Sequence, residues 1–198
     1  MQNFLKSLIR ITLLVGIFLT CFFYGPGIID WLNSKLNTSI TESYTPTIPT
    51  ETSSYQPAFN PRLSKTNHLV IPSIGVDTDL EEATYDSYEI ALKKGVWRVS
   101  DFGSPEVSGV PTILAAHRFG YLAWSNKYRR ENSFYNLPNL KVGDIVEIIW
   151  HQRKYTYEIY ADGKGPNITD YSANLILYTC ENLVGSTRFF KYARLLEL

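Results

Sequence analysis

Cys180, His117 and Arg188 are the side chains in this sequence whose types, taken together, suit acyl transfer. Cys180 closes the apolar run NLILYTC, and Arg188 stands near the start of the next run, TRFFKYARL, after the loop-like ENLVGST. His117 closes a third run, TILAAH, ahead of a loop that holds Arg118, Gly120 and Trp124. A free thiol titrates near ~8.5, so little of it is thiolate at neutral pH. An imidazole beside it can take the proton, or as imidazolium stabilise the thiolate, and can then protonate a leaving amine. Attack on a carbonyl creates an oxyanion, and the fixed donors of a guanidinium oppose that charge, an effect of about 2.7–4 kcal/mol per donor. Read singly, each residue has a plainer meaning: a small buried hydrophobe, a satisfied strand-end histidine, a surface arginine. Three strand ends carrying one of each point to chemistry, because a side chain there projects from a rigid frame.

Other chemistries lack their residues. Cys21 sits in an apolar run far from Cys180, so a structural disulfide between the two is not expected, and one remaining thiol makes no disulfide scaffold. The three histidines show no zinc-ligand spacing with it. His68 and His151 flank strand or turn positions and read as structural. No G-x-S-x-G occurs, and Gly185-Ser186 lacks the second glycine of a nucleophile elbow. The 19 basic and 19 acidic residues cancel, which leaves no electrostatic footprint for nucleic acid.

The elements that must position these residues fall into the last of three regions. Residues 11–29, ITLLVGIFLTCFFYGPGII, carry no charge, and at roughly 1.5 Å per residue such a run nearly spans a hydrocarbon core. Lys6 and Arg10 precede it, so the positive-inside rule places residues 1–10 in the cytoplasm, an anchor over 11–32, and the rest of the chain outside. A cleaved signal peptide is the competing reading, but no convincing small-x-small cleavage site follows the run. Residues 33–67 are rich in Ser, Thr and Pro without apolar period, and read as an extended spacer. A recognition motif within it, such as Ile48-Pro49-Thr50, is the functional alternative.

Residues 68–198 read as the folded domain. Short apolar or alternating runs recur between turn signals: HLVIP, ILAAH, DIVEIIW, KYTYEIYA, NLILYTC and TRFFKYARLLEL. Val146, Ile148 and Trp150 share one face of a strand, as do Tyr155, Tyr157 and Ile159, and a connection at 151–153 predicts a hairpin. The 14 Tyr against a single Met suit a β-rich fold. One short helix is expected around Ser133 to Leu137, limited by Pro138. A closed barrel or a sandwich is the expected class.

ILYTC at 176–180 followed by Arg188 resembles the TLxTC…R signature of sortases. AAHR at 115–118 is similar to that family's histidine strand, and HLVIPSIGV to its opening strand. KKGVWR at 93–98, FYNLPNLKVGDIVEI and YTYEI follow in the family's order, so the likeness covers 68–198 and agrees with the anchor. It implies an all-β, closed eight-stranded barrel with short helices behind one transmembrane helix in the cell membrane. It also implies cleavage of an LPxTG-like sorting signal through a thioacyl-enzyme, with transfer to an amine. By position, Cys180 is then the nucleophile, His117 the acid/base and Arg188 the oxyanion or substrate-positioning group, with Thr179, Ala116 and Arg118 as substrate-binding candidates. The implied partners are sorting-signal-bearing surface proteins and an amine from a peptidoglycan precursor or a pilin. Ile176 stands where the signature has Thr, and Ala116 where Gly is common, which leaves the subfamily and the sorting motif open. No cofactor is implied, except that some sortases bind calcium near the place where this chain has Asp77, Asp79, Glu81 and Glu82; a solvated loop is the alternative. A peptidase whose acyl-enzyme is resolved by water, and an inactive barrel that binds wall peptides, are the rival readings.

Overall fold

The computed structural model describes residues 55–198. The chain divides into Met1–Pro46, which lies outside the described residues, and Thr47–Leu198, to which everything below refers. The apolar run at 11–29 and most of the spacer therefore fall outside the description. Among the described residues, no helix is long and apolar enough to cross a membrane.

Eight strands close into a barrel: β1 (His68–Ile71), β2 (Val76–Ala83), β3 (Val96–Val99), β4 (Thr112–Ala115), β5 (Ile145–Trp150), β6 (Arg153–Gly165), β7 (Leu175–Cys180) and β8 (Arg188–Leu196). Around the barrel their order is β1-β2-β3-β4-β7-β8-β6-β5. The β2/β3 and β4/β7 pairs are parallel and the others antiparallel. The alternation in β5 and β6 does what its period requires: Val146, Ile148, Trp150, Tyr155, Tyr157 and Ile159 all enter the inner core. Phe134 and Leu137, both fully buried, join that core from the connection ahead of β5.

Strands β4 and β7 are buried on both faces. Leu114, Leu175 and Leu177 belong to the inner cluster, whereas Ile113, Ala115 and Ile176 belong to a second cluster on the barrel's outer wall. Helix α1 (Tyr88–Lys94), which packs on β2 and β3, joins that second cluster through Ala91 and Leu92, and Ala173, Phe190 and Tyr192 belong to it as well. Burial on both faces explains why TILA and LILYTC read as nearly unbroken apolar runs, as parallel neighbours inside a fold do.

The hairpin joins β5 to β6 through His151 and Gln152, with φ of 48° and 59°. Two left-handed residues make the type I′ turn whose twist suits a two-residue hairpin, although neither is the usual Asn or Gly. The turn is held from outside. Asn67 Oδ1 accepts from the His151 amide at 3.2 Å, and the Gln152 side chain donates to Pro61 O at 3.1 Å.

The helical expectation needs correction. Residues 133–136 form no helix; they follow α2 (Asn126–Asn132), and a single 3-10 turn at Leu137–Asn139 takes up Pro138. Burial of Phe134 and Leu137 fixes that segment as a plug. The signal for α2 was its cap, Ser125, whose hydroxyl accepts from the Tyr128 amide at 3.0 Å. The spacer also gains order before 68. Tyr55 Oη donates to Leu198 O at 2.7 Å, the Asn60 amide donates to Gln152 O at 2.9 Å, and Arg153 donates to Pro57 O. Hydrogen bonds to the hairpin and the C-terminus hold this strap, and such bonds leave no apolar pattern.

The acidic stretch after β1 is strand β2, and its carboxylates face basic side chains. His68 Nδ1 lies 2.7 Å from Asp79 and its Nε2 2.7 Å from Asp77. Glu81 pairs with Lys94 at 3.3 Å, and Glu82 takes both Nε and Nη2 of Arg98 at 2.7 and 2.6 Å. Among the described residues, no group of three or more His, Cys, Asp or Glu side chains that could hold a metal ion gathers here.

His68 makes stability depend on pH. Burial lowers its pKa, but the hydrogen bonds and charges of Asp79 and Asp77 outweigh burial and raise it above 6.5. A raised folded-state value contributes stability below the unfolded pKa, which is lost as pH rises through the folded value. Between about pH 6 and about pH 9, the urea midpoint of the wild type should therefore fall more than that of His68→Gln. Equal slopes would refute the assignment.

Candidate active site

Strands β4, β7 and β8 lie side by side in the barrel wall, although β5 and β6 separate β4 from β7 in the chain. Their registers align the ends: Ala115 is level with Tyr178, and Cys180 pairs with Arg188. Side-chain parity then decides the face. On β7, Leu175 and Leu177 point inward and Ile176 outward, so Cys180 continues the outer row. On β8, Phe190 and Tyr192 pack in the outer cluster, and Arg188 shares their parity. Beyond β4, Ala116 lies in the inner cluster and His117 follows it on the outer side. The three predicted residues thus come together outside the barrel, on a cavity of about 290 Å³ that all three line.

The backbone around His117 is pinned from three directions. The buried Thr179 hydroxyl donates to Ala116 O at 2.8 Å, the Ala116 amide to Tyr178 O at 3.4 Å, and the Phe134 amide to His117 O at 3.1 Å. Thr179 and Ala116 border the cavity but are 1% and 6% exposed. The Thr179 hydroxyl is engaged by the backbone just past β4. Arg118 is not among the residues lining the cavity. Its guanidinium lies over the rings of Phe119 and Phe189, 5.1 and 5.2 Å from their centroids, and donates to Glu181 O. It ties the segment after His117 to the loop after Cys180.

That loop, 181–187, brings Arg188 back to the strand. The Glu181 amide donates to Thr187 O at 3.0 Å, and Arg188 Nη1 donates to Gly185 O at 2.9 Å and Thr187 O at 3.1 Å. Gly185 has φ of 113°, a conformation that side chains other than glycine's rarely adopt. Cys180 is a free, part-exposed cysteine.

The rest of the wall comes from residues that strand-end reasoning did not find. Tyr85, Tyr88, Glu89 and Leu92 of the α1 region line the cavity with Trp97 and Tyr178. Tyr85, Tyr88 and Trp97 cluster, with centroids 5.5 Å apart for Tyr85 and Tyr88, 5.4 Å for Tyr88 and Trp97 and 6.3 Å for Tyr85 and Trp97. Burial lowers the pKa of His117, while the charge of Glu89 works in the opposite direction. The imidazole is therefore neutral at pH 7 and able to accept a proton. Burial first, and then Tyr85, push the Tyr178 phenol up to about 12, so it stays neutral beside Cys180. Tyr121 also escaped the sequence reading. Its hydroxyl lies 3.2 Å from His117 Nε2, and a residue four positions along a loop carries no pattern that announces such a contact.

A thiol, a neutral imidazole and a guanidinium around one half-apolar cavity can attack a carbonyl, carry the proton and oppose the oxyanion. Comparison with known proteins identifies the domain. The family model described as the sortase domain matches residues 69–196. Curated proteins give no significant match. Among solved structures, sortase C1 of Streptococcus agalactiae in complex with MTSET superposes with a TM-score of 0.55 at 22% identity, over 67% of this chain and 69% of that one. A lid mutant of sortase A from Corynebacterium diphtheriae gives 0.54 at 18% identity, over 68% and 72%. Sortase C of Streptococcus pneumoniae gives 0.54 at 20% identity, over 65% and 66%. At these identities the structural likeness is one of fold.

Proposed function

The chain belongs to the sortase family, a family of cysteine transpeptidases, and on that premise we propose that it cleaves an LPxTG-like sorting signal and joins the acyl part to an amine, attaching surface proteins to the cell wall. The observation that carries this reading is the shared outer face of β4, β7 and β8, from which His117, Cys180 and Arg188 meet one cavity. His117 takes the Cys180 proton, and the thiolate attacks the carbonyl carbon of the scissile peptide bond. Arg188 opposes the charge on the carbonyl oxygen. As the C–N bond breaks, the His117 imidazolium protonates the departing amine and leaves a thioester on Cys180. An incoming amine then attacks that thioester, loses its proton to His117 and restores the thiol. Ala116, Thr179 and Arg118 support the machinery in this reading by fixing the His117 segment and the loop after Cys180.

The cavity's apolar wall of Leu92, Trp97 and tyrosines suits the leucine and proline of such a signal. The run at 11–32, behind Lys6 and Arg10, is the proposed single-pass anchor, with the catalytic domain outside the cell membrane. The test is product analysis with the full-length chain, a peptide library built on the LPxTG pattern, and an added amine. The expected product carries the amine in a new amide bond. Hydrolysis alone, whatever the amine concentration, would make the protein a peptidase instead; no cleavage of any member would support the inactive barrel.

A further inference from the structure

An imidazole that serves a thiol must present a lone pair from one chosen ring nitrogen, and that choice is made by whatever holds the other. In this protein the hydrogen-bonded nitrogen of His117 is Nε2, 3.2 Å from Tyr121 Oη. Tyr121 is the ring's hydrogen-bond partner among the described residues, which leaves Nδ1 unbonded. The contact belongs to a fixed structure. The Tyr121 and His117 rings meet edge to face at 5.2 Å and 85°, and Trp124 packs against Tyr121 at 5.3 Å. The Trp124 amide donates to Tyr121 O at 3.0 Å, while Arg129 donates to Phe119 O at 2.8 Å and to Tyr121 O at 3.4 Å. Gly120, with φ of 68°, lets the Trp124 ring lie against the chain: a Cβ there would stand 2.1 Å from it. Burial and the charge of Glu89 raise the Tyr121 pKa, so its hydroxyl stays a neutral phenol at working pH.

We propose that Tyr121 is the positioning residue of His117: its phenolic oxygen accepts the Nε2–H, which places the lone pair of the neutral ring on Nδ1. This rests on the functional reading above. The Cys180 proton passes to Nδ1, and the same proton leaves from Nδ1 to the departing amine. The Nε2–H stays on the ring throughout, and Tyr121 neither gains nor loses a proton. An acceptor at Nε2 also favours the imidazolium over the neutral ring, because a hydrogen bond from a charged donor is stronger than one from a neutral donor.

The test is Tyr121→Phe, which keeps the ring and removes the oxygen. The full-length chain, held in detergent and labelled with 15N at histidine, reports the ring tautomer and pKa of His117 by NMR. The expected wild-type state is the Nε2–H tautomer. In the variant both tautomers should appear, the His117 pKa should fall further, and kcat should drop about tenfold with KM nearly unchanged. Trp124→Phe disturbs the same packing but retains the hydroxyl, so it should keep the wild-type tautomer. A wild-type Nδ1–H tautomer would overturn the inference, and that needs no variant to fold. So would a Tyr121→Phe enzyme with unchanged or higher kcat, or the same response in both variants. Because the tautomer is read without substrate, a wild type that cleaves no sorting peptide yet shows the predicted tautomer change would defeat the functional reading and leave the positioning role standing.

Discussion

Cys180→Ala is expected to reduce turnover of a sorting peptide on the order of 10⁴-fold or more, with the barrel intact. No other residue can take its place in the reaction as drawn, because the acyl group must rest on a nucleophile between the two amines. Cys180 is the free cysteine among the described residues, and Cys21 belongs to the apolar run outside them. The substitution removes one sulfur from a part-exposed strand end, keeps the Cβ, and leaves the inner core untouched. A change in stability within about 1 kcal/mol is therefore expected. Loss of the thioester should be seen by intact mass after mixing with peptide, and preserved fold by the thermal transition. Full turnover in the alanine variant would remove the cysteine mechanism altogether.

Arg188 should show the next largest effect. It pairs with Cys180 across β7 and β8, and its own loop orients its guanidinium through Gly185 O and Thr187 O. A donor held in place before the reaction costs nothing to reorganise when charge develops on the carbonyl oxygen. Arg188→Ala should lower kcat by about 10²- to 10³-fold, or roughly 3–4 kcal/mol of transition-state stabilisation, with KM little changed. Arg188→Lys restores the charge but not the planar fork that both contacts the loop and faces the cavity, so its kcat should fall between the two. A rise in KM with kcat preserved, in either variant, would mean that Arg188 holds the ground-state peptide and not the oxyanion.

Much of the fold was legible because a strand's face is a local property. The alternation of Val146, Ile148 and Trp150 against Tyr155, Tyr157 and Ile159 announced both strands and the hairpin between them. Strand β2 was harder to see: its outward positions, Asp77 and Asp79, look like a solvated loop until His68 is placed between them. Helices α1 and α2 have only seven residues each, too few for an apolar period to stand out. The strap at 55–67 is held by hydrogen bonds, which hydrophobicity does not register. Strand β6 runs on to Gly165, past the point where its alternation breaks at the irregularity between Ile159 and Ala161.

The candidate site divides in the same way. The sequence by itself determined the three residue types, their places at strand ends and, through the order of its motifs, the family. Only the tertiary structure decided that these ends are neighbours. Alternation tells a residue which face of its own strand it occupies, but says nothing of which strand lies alongside. That is settled by barrel closure, which sets β4 parallel to β7 across the intervening β5–β6 hairpin and registers Cys180 against Arg188. The same closure turns Thr179 inward to hold Ala116 and leaves His117 outward, where α1 supplies Glu89 and a short aromatic loop supplies Tyr121. Those partners come from segments with no periodic signal, because a contact made by one side chain across space writes no period into the chain that carries it.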